Sequence, residues 1–445
     1  MSKVATRLIA PVIFIYFLYF AIPALQAKFA PDDMMNLGKY WIQGLGSTWW
    51  DDLRFSNGLR PMGAFFYLPI YYFFGLNPIP YRVAIFAILA ANLCFTFKIA
   101  ERLTKSQAVA ALAAVLVCGH ASMVPIYYNT SMIYDVLAYF FTAAMLYSYL
   151  AFRRDGENLR FGQGSLVVLL YVAAIKSKEI AVVGAGWILA YEVLFHRPRK
   201  LRIPLILIAI AILSAATTLL SPHSLSKQGG YLLDLTPHRY IVNHILYVND
   251  LLYLHFFTSG RQLLVAWLAL TAACAIARKR ELWWCWFAVS TGTLPVAFTI
   301  QPRSGSSLYV PLLALAILVS IFTVGLFKRP AVQWSAAAAA AFLFTVQTVP
   351  LWRHDTPTYF EDHRLTWSVI SQFRGLPQRP APNSRVIVLS NPFADWDVLF
   401  IAVLTWHDHS IDVNLANKLD APPVLADYNW VLTFEGEELQ VVRAR

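Results

Sequence analysis

The chain has 445 residues, of which 58% are hydrophobic and only 14% are charged, and its formal net charge is +11. Because about a quarter of the residues in a soluble domain are charged, this composition and the mean hydropathy of +0.53 exclude an ordinary soluble domain. The apolar residues come in runs of roughly 17–22, long enough to cross the hydrocarbon core of a bilayer. The sequence therefore predicts an α-helical, polytopic membrane protein.

The basic residues indicate how the chain crosses the membrane. Lys and Arg cluster in short connectors such as "FRRDGENLR" and "FHRPRKLR", as expected of cytoplasmic loops. The first apolar run follows the basic segment "MSKVATR" and is predicted to be a retained span. Run length and loop charge together predict about eleven crossings. They lie near residues 8–25, 80–98, 108–125, 132–152, 162–176, 180–196, 202–220, 262–278, 282–300, 307–327 and 333–351.

Two further apolar stretches do not fit this pattern as spans. Residues 61–76 are short and aromatic and contain Pro69, and a crossing there would invert every later loop. Residues 240–258 carry several polar side chains, which are costly in lipid. We expect both stretches to form interfacial or re-entrant helices.

The tail, residues 352–445, is more polar than the rest of the chain. Its segments "RVIVLS" and "WVLTFEGEELQVV" have the pattern of strands, and they flank the helical "DWDVLFIAVLTWH". We therefore expect a transmembrane domain over 1–351 and a small extracytoplasmic α/β domain over 352–445. The expected location is the bacterial inner membrane or an equivalent membrane, with the candidate site on the same extracytoplasmic face.

The candidate site residues are charges that oppose the positive-inside trend. Ionised groups at such depth cost several kcal/mol unless they line a polar cavity or meet a partner. A carboxylate can activate a nucleophile or hold a metal, and fixed cations can hold an anion such as phosphate. The external loops supply Asp32 and Asp33 in "FAPDDMMN", Asp51, Asp52, Arg54 and Arg60 around "WWDDLRF", Lys176, Lys178 and Glu179 in "AAIKSKEIAVV", and Arg303 in "IQPRSGSSLYVP".

Each of these charges also has a simpler explanation. A single one could be a side chain that extends to the interface or a surface ion pair. One of Asp32 and Asp33 could cap the helix that begins at "MMNLGKYWIQGL". Capping accounts for only one of the two aspartates, so the other can still activate a nucleophile or hold a metal.

Other site classes find little support in the sequence. The basic residues lie in short connectors between spans, so no nucleic-acid partner is expected. The four cysteines lie within apolar runs without metal-ligand spacing, and the histidines lack it as well. No metal site is assigned, and a divalent cation near the first-loop aspartates is the one cofactor considered.

The ordered set of motifs resembles the GT-C class of polyprenyl-phosphate-dependent membrane glycosyltransferases. Its nearest counterparts in that class are the protein O-mannosyltransferases and the branch that carries tetratricopeptide repeats. The matching pieces cover roughly residues 10–325, although the chain has Asp-Asp where Asp-Glu is usual and carries no tetratricopeptide array. They are "FAPDDMMN", "LRPMGAFFYLPIYYFFGLNPIPYRVAIF", the "KSKE" turn and "RSGSSLYVPLLALAI", which includes Tyr309.

The resemblance implies an inverting hexosyl- or pentosyltransferase that moves a sugar from a polyprenyl-phosphate donor to a hydroxyl of a protein or glycan acceptor. Asp33 or Asp32 is the expected general base, with Asp33 slightly favoured. The resemblance places Lys176, Lys178 and Arg303 at the donor phosphate, and Glu179, Asp51, Asp52, Arg60 and Tyr309 are expected to support them. A transporter or flippase of lipid-linked sugars and a scaffold subunit are the alternative functions.

Overall fold

The computed structural model describes residues 3–53, 60–220, 229–252, 259–303, 305–393, 395–419 and 421–444. Within these ranges the chain is mainly helical. The α-helices are α1 (Lys3–Ala24), α2 (Pro31–Gln43), α3 (Leu45–Leu53), α4 (Pro61–Phe74), α5 (Pro78–Thr104), α6 (Gln107–Gly119), α7 (Val124–Tyr128), α8 (Ile133–Phe152), α9 (Phe161–Ser177), α10 (Val183–Phe195), α11 (Arg202–Leu220), α12 (Pro237–Leu252), α13 (Gly260–Ala277), α14 (Arg280–Gly292), α15 (Leu294–Ala297), α16 (Tyr309–Ser320), α17 (Pro330–Arg374) and α18 (Asp397–Trp406).

Five described helical segments are long and apolar enough to cross a membrane, and a sixth is added if α6 and α7, bent by 55°, count as one span. This supports a multi-pass integral membrane protein. The total of about eleven crossings stays a prediction, because several of the predicted spans correspond to shorter apolar helices such as α9 and α11. The five segments are Pro78–Thr104, Thr130–Phe152, Gly260–Ala277, Gly305–Gly325 and Pro330–Arg374.

Both stretches that were excluded as spans are helical. Residues 61–76 correspond to α4, and residues 240–258 correspond to α12 as far as Leu252, beyond which residues 253–258 lie outside the described ranges. The polarity of α12 has a packing reason, since Asn243 donates to the carbonyls of Ala297 and Thr299 at 2.9 and 2.7 Å. These bonds fasten α12 to α15.

Helix α17 differs from the prediction because it does not end near residue 351. It continues as one helix to Arg374, through the predicted boundary between the membrane part and the tail. Buried residues at helical spacing explain the continuation, since His363, Thr366, Ile370 and Phe373 lie on one face. The two-domain division therefore stays a prediction, with its boundary inside a continuous helix.

A small sheet follows α17, with the strand order β2-β1-β3-β4. The pairs β1–β2 and β1–β3 are parallel, and β3–β4 is an antiparallel hairpin. Helix α18 connects β1 to β2, which makes a βαβ unit. The strands are β1 (Arg385–Val388), β2 (Asp412–Leu415), β3 (Trp430–Glu435) and β4 (Glu438–Ala444). Strands β1 and β3 and most of β4 lie in the two segments that the sequence predicts as strands.

This α/β unit packs on the membrane part through α18, which lies against α2. The two helices come close together at Gly38, where a Cβ atom would lie 2.6 Å from a ring carbon of Phe400. Only glycine allows the two helices to come this close. The contact places one end of α18 beside the candidate site.

Candidate active site

The candidate site is a cavity of about 870 Å³ where several helix ends meet. It gathers five of the residues predicted from sequence, which come from distant parts of the chain: Asp32, Arg60, Lys178, Glu179 and Arg303. The other lining residues are Met35, Asn36, Lys39, Tyr40, Ile42, Gln43, Ser131, Met132, Tyr134, Asp135, Tyr231, Val296, Pro302, Ser307 and Phe400.

Helix α2 supplies one wall of the cavity. Pro31 occupies its first turn, where the missing N–H of proline costs nothing. With this start, Asp32, Asn36, Lys39 and Gln43 fall on one face at spacings of three and four residues. That face lines the cavity.

Asp33 lies on a different face of α2 and is fully buried. Its carboxylate accepts hydrogen bonds from the backbone N–H of Ala30 at 2.8 Å and from that of Ser131 at 2.5 Å. Burial raises the pKa of Asp33 to about 6, although the charge of Arg82 and these two hydrogen bonds lower it. Asp33 therefore caps α2 and ties it to the segment before α8, and it is not among the residues that line the cavity.

Asp32 is the aspartate that faces the cavity. Desolvation raises its pKa above the ordinary value, the charge of Lys39 lowers it, and the charge of Asp395 raises it again. Asp32 makes no ion pair with any described residue. A carboxylate with a raised pKa and no ion-pair partner among the described residues is suited to accept a proton.

Lys178 lies at the turn after α9 and is held by a carboxylate that the sequence did not single out. Its Nζ atom lies 2.7 and 2.8 Å from the two carboxylate oxygens of Asp135 and 3.4 Å from the hydroxyl of Ser307. Asp135 is 2% exposed, whereas the side chain of Lys178 is 13% exposed. The ammonium group therefore lies between a buried carboxylate and the cavity.

Arg60 and Glu179 form a second pair on the cavity wall. Two nitrogens of the Arg60 guanidinium contact the carboxylate, at 2.8 and 3.3 Å. Burial alone would raise the pKa of Glu179, but the charges of Arg60 and Lys178 lower it to about 2. Glu179 is therefore ionised at neutral pH and neutralises Arg60.

Arg303 is a cation without a carboxylate partner among the described residues. Its guanidinium lies over the ring of Tyr231, 3.2 Å from the ring centroid. One of its terminal nitrogens, Nη2, is buried without a hydrogen-bond acceptor in the described part of the chain. Its backbone N–H is fixed by the hydroxyl of Tyr247 at 2.9 Å. Arg303 thus offers an unneutralised charge to the cavity.

Besides Asp33, four predicted residues within the described ranges do not line the cavity. Lys176 pairs with Asp52 at 2.7 Å and so fastens α3 to the end of α9. Asp51 accepts a hydrogen bond from Gln43. Tyr309 is buried and stacks on Tyr139, with ring centroids 4.2 Å apart. Arg54 lies outside the described residues.

A metal site is not evident in the described ranges. No group of three or more His, Cys, Asp or Glu side chains there is placed to hold a metal ion. The divalent cation considered near the first-loop aspartates stays a prediction.

Among the lining residues that sequence reasoning did not identify, three bear on the chemistry of the cavity: Asp135, Lys39 and Phe400. Asp135 carried a usable signal, since "IYDVLAYFF" places one carboxylate at the start of a long apolar run, and such a charge needs a partner. Lys39 lies seven residues after Asp32, on the same helix face. Phe400 carried no signal, because its place depends on how α18 packs on α2.

The fold has counterparts among solved structures. No protein-family model matches the chain, and no curated protein matches it significantly. Among solved structures it resembles ArnT from Cupriavidus metallidurans bound to undecaprenyl phosphate, with a TM-score of 0.55, 12% identity, and coverage of 94% of this chain and 87% of that one. The apo state of the same protein gives a TM-score of 0.51 and 10% identity, with coverage of 93% and 86%. The chain therefore has an ArnT-like, GT-C-type fold, and the comparison does not support the O-mannosyltransferase or tetratricopeptide-repeat branch.

Proposed function

We propose that this protein is an inverting membrane glycosyltransferase that moves a sugar from a polyprenyl-phosphate donor to a hydroxyl acceptor. One observation carries the proposal. Charged residues from four separate segments line a single cavity. Run length and loop charge place all four segments on the same face of the membrane. The fold supports it, because ArnT shares this fold and has been solved with undecaprenyl phosphate bound.

In this mechanism Asp32 is the general base. The acceptor hydroxyl gives its proton to the Asp32 carboxylate while its oxygen attacks the anomeric carbon of the donor sugar. The bond between that carbon and the phosphate oxygen breaks, and the electron pair leaves with the phosphate. The choice of Asp32 over Asp33 rests on geometry, since only Asp32 lines the cavity and the oxygens of Asp33 are engaged by backbone N–H groups.

Arg303 and Lys178 stabilise the departing phosphate. Arg303 has a free charge and a donor nitrogen without an acceptor among the described residues, and arginine suits the geometry of phosphate. Lys178 supplies a second positive charge that Asp135 holds at the cavity wall. Fixed cations aimed at developing negative charge are among the strongest sources of transition-state stabilisation.

The test uses purified protein, a panel of undecaprenyl-phosphate-linked hexoses and pentoses, and hydroxyl acceptors. Asp32→Asn should lower kcat by about 10²–10⁴-fold, the usual contribution of a general base, while binding of undecaprenyl phosphate changes little. Asp33→Asn should lower stability and leave more activity than Asp32→Asn. The exposed Asp362 of α17 gives the matched control, Asp362→Asn. Full activity in Asp32→Asn would show that this carboxylate is not the base.

The same assay separates transfer from transport. A flippase would move lipid-linked sugar across a proteoliposome without forming a new glycosidic bond. We expect a glycosylated acceptor and free undecaprenyl phosphate in equal amounts. Translocation of the intact donor without product would refute the proposal.

A further inference from the structure

The C-terminal α/β unit contributes directly to the wall of the cavity. Phe400 of α18 is a lining residue, although it is more than 90 positions from the next lining residue in sequence, Ser307. Its half-buried ring packs against α2 at Gly38. The cavity is therefore incomplete without α18.

Phe400 belongs to the half of the cavity that holds the base. Helix α18 runs beside α2, so that the charges of Asp32 and Asp397, one helical turn before Phe400, affect each other. Arg303 and Lys178 come from the segments that follow α15 and α9. The ring is thus placed on the Asp32 side of the cavity, where the proposed mechanism puts the acceptor.

The polar side chains that line the cavity from α2, the helix on which Phe400 packs, have the composition of a carbohydrate subsite. Asn36 and Lys39 face the cavity from α2, at four and seven residues after Asp32. The amide can both donate and accept hydrogen bonds, and the ammonium can donate three. An aromatic ring gives the apolar C–H face of a pyranose a flat surface to pack on. Asp32 then stands beside the hydroxyl that reacts.

We propose that Phe400 and the α2 face of Asp32, Asn36 and Lys39 form an acceptor subsite for a pyranose ring. Phe400 is a specificity-determining residue of this subsite. The inference rests on the proposed function and deepens it, because it selects a sugar, and so a glycan or glycolipid, over a protein as acceptor.

The experiment compares acceptors and variants in the transfer assay. The acceptor probes are methyl glucopyranoside, methyl galactopyranoside and methyl mannopyranoside, set against a serine- and threonine-containing peptide of similar size. We expect the wild type to glycosylate at least one pyranoside and not the peptide. Phe400→Leu should raise the acceptor KM by about tenfold or more, as expected for a lost packing surface, while Phe400→Tyr stays near the wild type.

Two further variants separate stacking from general damage. Gly38→Ala should also raise the acceptor KM, because its methyl group would displace the Phe400 ring that lies 2.6 Å away. Trp396→Leu is the matched control, since Trp396 is an exposed aromatic residue of the same unit, 44% exposed and outside the cavity lining. Its acceptor KM should equal that of the wild type.

Binding of undecaprenyl phosphate distinguishes failure of the proposed function from failure of the acceptor subsite. Phe400→Leu should bind this lipid within about twofold of the wild type, because Arg303 and Lys178 are unchanged. If the wild type neither binds the lipid nor transfers sugar, the proposed function itself fails. If it binds and transfers, but prefers the peptide or shows an unchanged KM in Phe400→Leu, the acceptor subsite is refuted. A loss of lipid binding in Phe400→Leu would also refute it.

Discussion

Neutralising Lys178 and neutralising Asp135 should both lower stability, Lys178→Gln by more, and should have opposite effects on lipid binding. The two side chains form one ion pair, with both carboxylate oxygens within 2.8 Å of Nζ. Lys178→Gln leaves the charge of Asp135 at a position that is 2% exposed. Removing one partner of a buried pair costs about 3–5 kcal/mol. We expect a loss near the lower value, because the pair borders a cavity.

Asp135→Asn leaves the opposite charge behind. Lys178 is 13% exposed and adjoins the cavity, so its free ammonium can be solvated and the loss of stability should be smaller. Removing a negative charge a few ångströms from a bound phosphate favours binding by about 1 kcal/mol when water screens it. Asp135→Asn should therefore bind undecaprenyl phosphate about fivefold more tightly, whereas Lys178→Gln should bind it more weakly.

The assay is a pair of measurements on the four proteins of a double-mutant cycle. Thermal or denaturant unfolding in detergent gives the stabilities, and titration with undecaprenyl phosphate gives the affinities. In the double variant Lys178→Gln, Asp135→Asn, stability should recover by about 2 kcal/mol over Lys178→Gln, since no buried charge remains unpaired. Lipid affinity should not recover. If both single variants weaken lipid binding equally, the pair is only structural and Lys178 has no role at the phosphate.

Three further substitutions test other groups. Arg303→Gln should weaken undecaprenyl phosphate binding by tenfold or more, since a charge-assisted hydrogen bond contributes about 1.5–3 kcal/mol, while the exposed Arg353→Gln serves as an inert control in the same titration. Lys39→Gln should move the acidic limb of the kcat/KM–pH profile to higher pH, because the Lys39 charge lowers the pKa of Asp32; a limb that moves down would contradict this. The pKa of Asp33, raised to about 6 in the fold, means that its protonated form favours folding and that this stability is lost as pH rises toward 6. Between about pH 3 and 7 the wild type should lose about 3 kcal/mol relative to Asp33→Asn, measured by chemical unfolding; equal pH slopes would refute it.

Five of the residues singled out in the sequence line the cavity, and the signal that marks them is local and energetic. A charge such as Lys178 within an otherwise apolar run is costly unless it has a partner or a polar cavity. The same reasoning grouped Asp32, Arg60, Glu179 and Arg303, and all of them line the cavity. It could not identify partners, because the pairing of Lys178 with Asp135 depends on how α8 packs beside α9.

The choice between Asp32 and Asp33 shows a signal that was present but unused. Pro31 favours the first helical position, which places Asp33 at the third, where an acidic side chain reaches back to the backbone N–H before the helix. The structure has this hydrogen bond, from Ala30 to Asp33. Helix phase then turns Asp32 toward the cavity. The competing capping explanation was right for one aspartate, and the proline tells which one.

The arrangement of paired and unpaired charges is what makes this cavity suited to group transfer. Base and leaving-group cations must act on the same substrate without neutralising each other. Asp135 and Glu179 engage Lys178 and Arg60 in ion pairs of 2.7 and 2.8 Å. Within the described ranges, Asp32, Lys39 and Arg303 remain outside any ion pair shorter than 4.0 Å.

These unpaired groups come from different parts of the fold, which keeps their chemistry separate. Asp32 is on α2, which α18 supports through the contact of Gly38 with Phe400. Arg303 follows α15, and its position is fixed by Tyr231 and Tyr247. Substrates that contact both groups must present a hydroxyl to Asp32 and an anion to Arg303. A sugar carried on a lipid phosphate, attacked by an acceptor hydroxyl, has this distribution of charge.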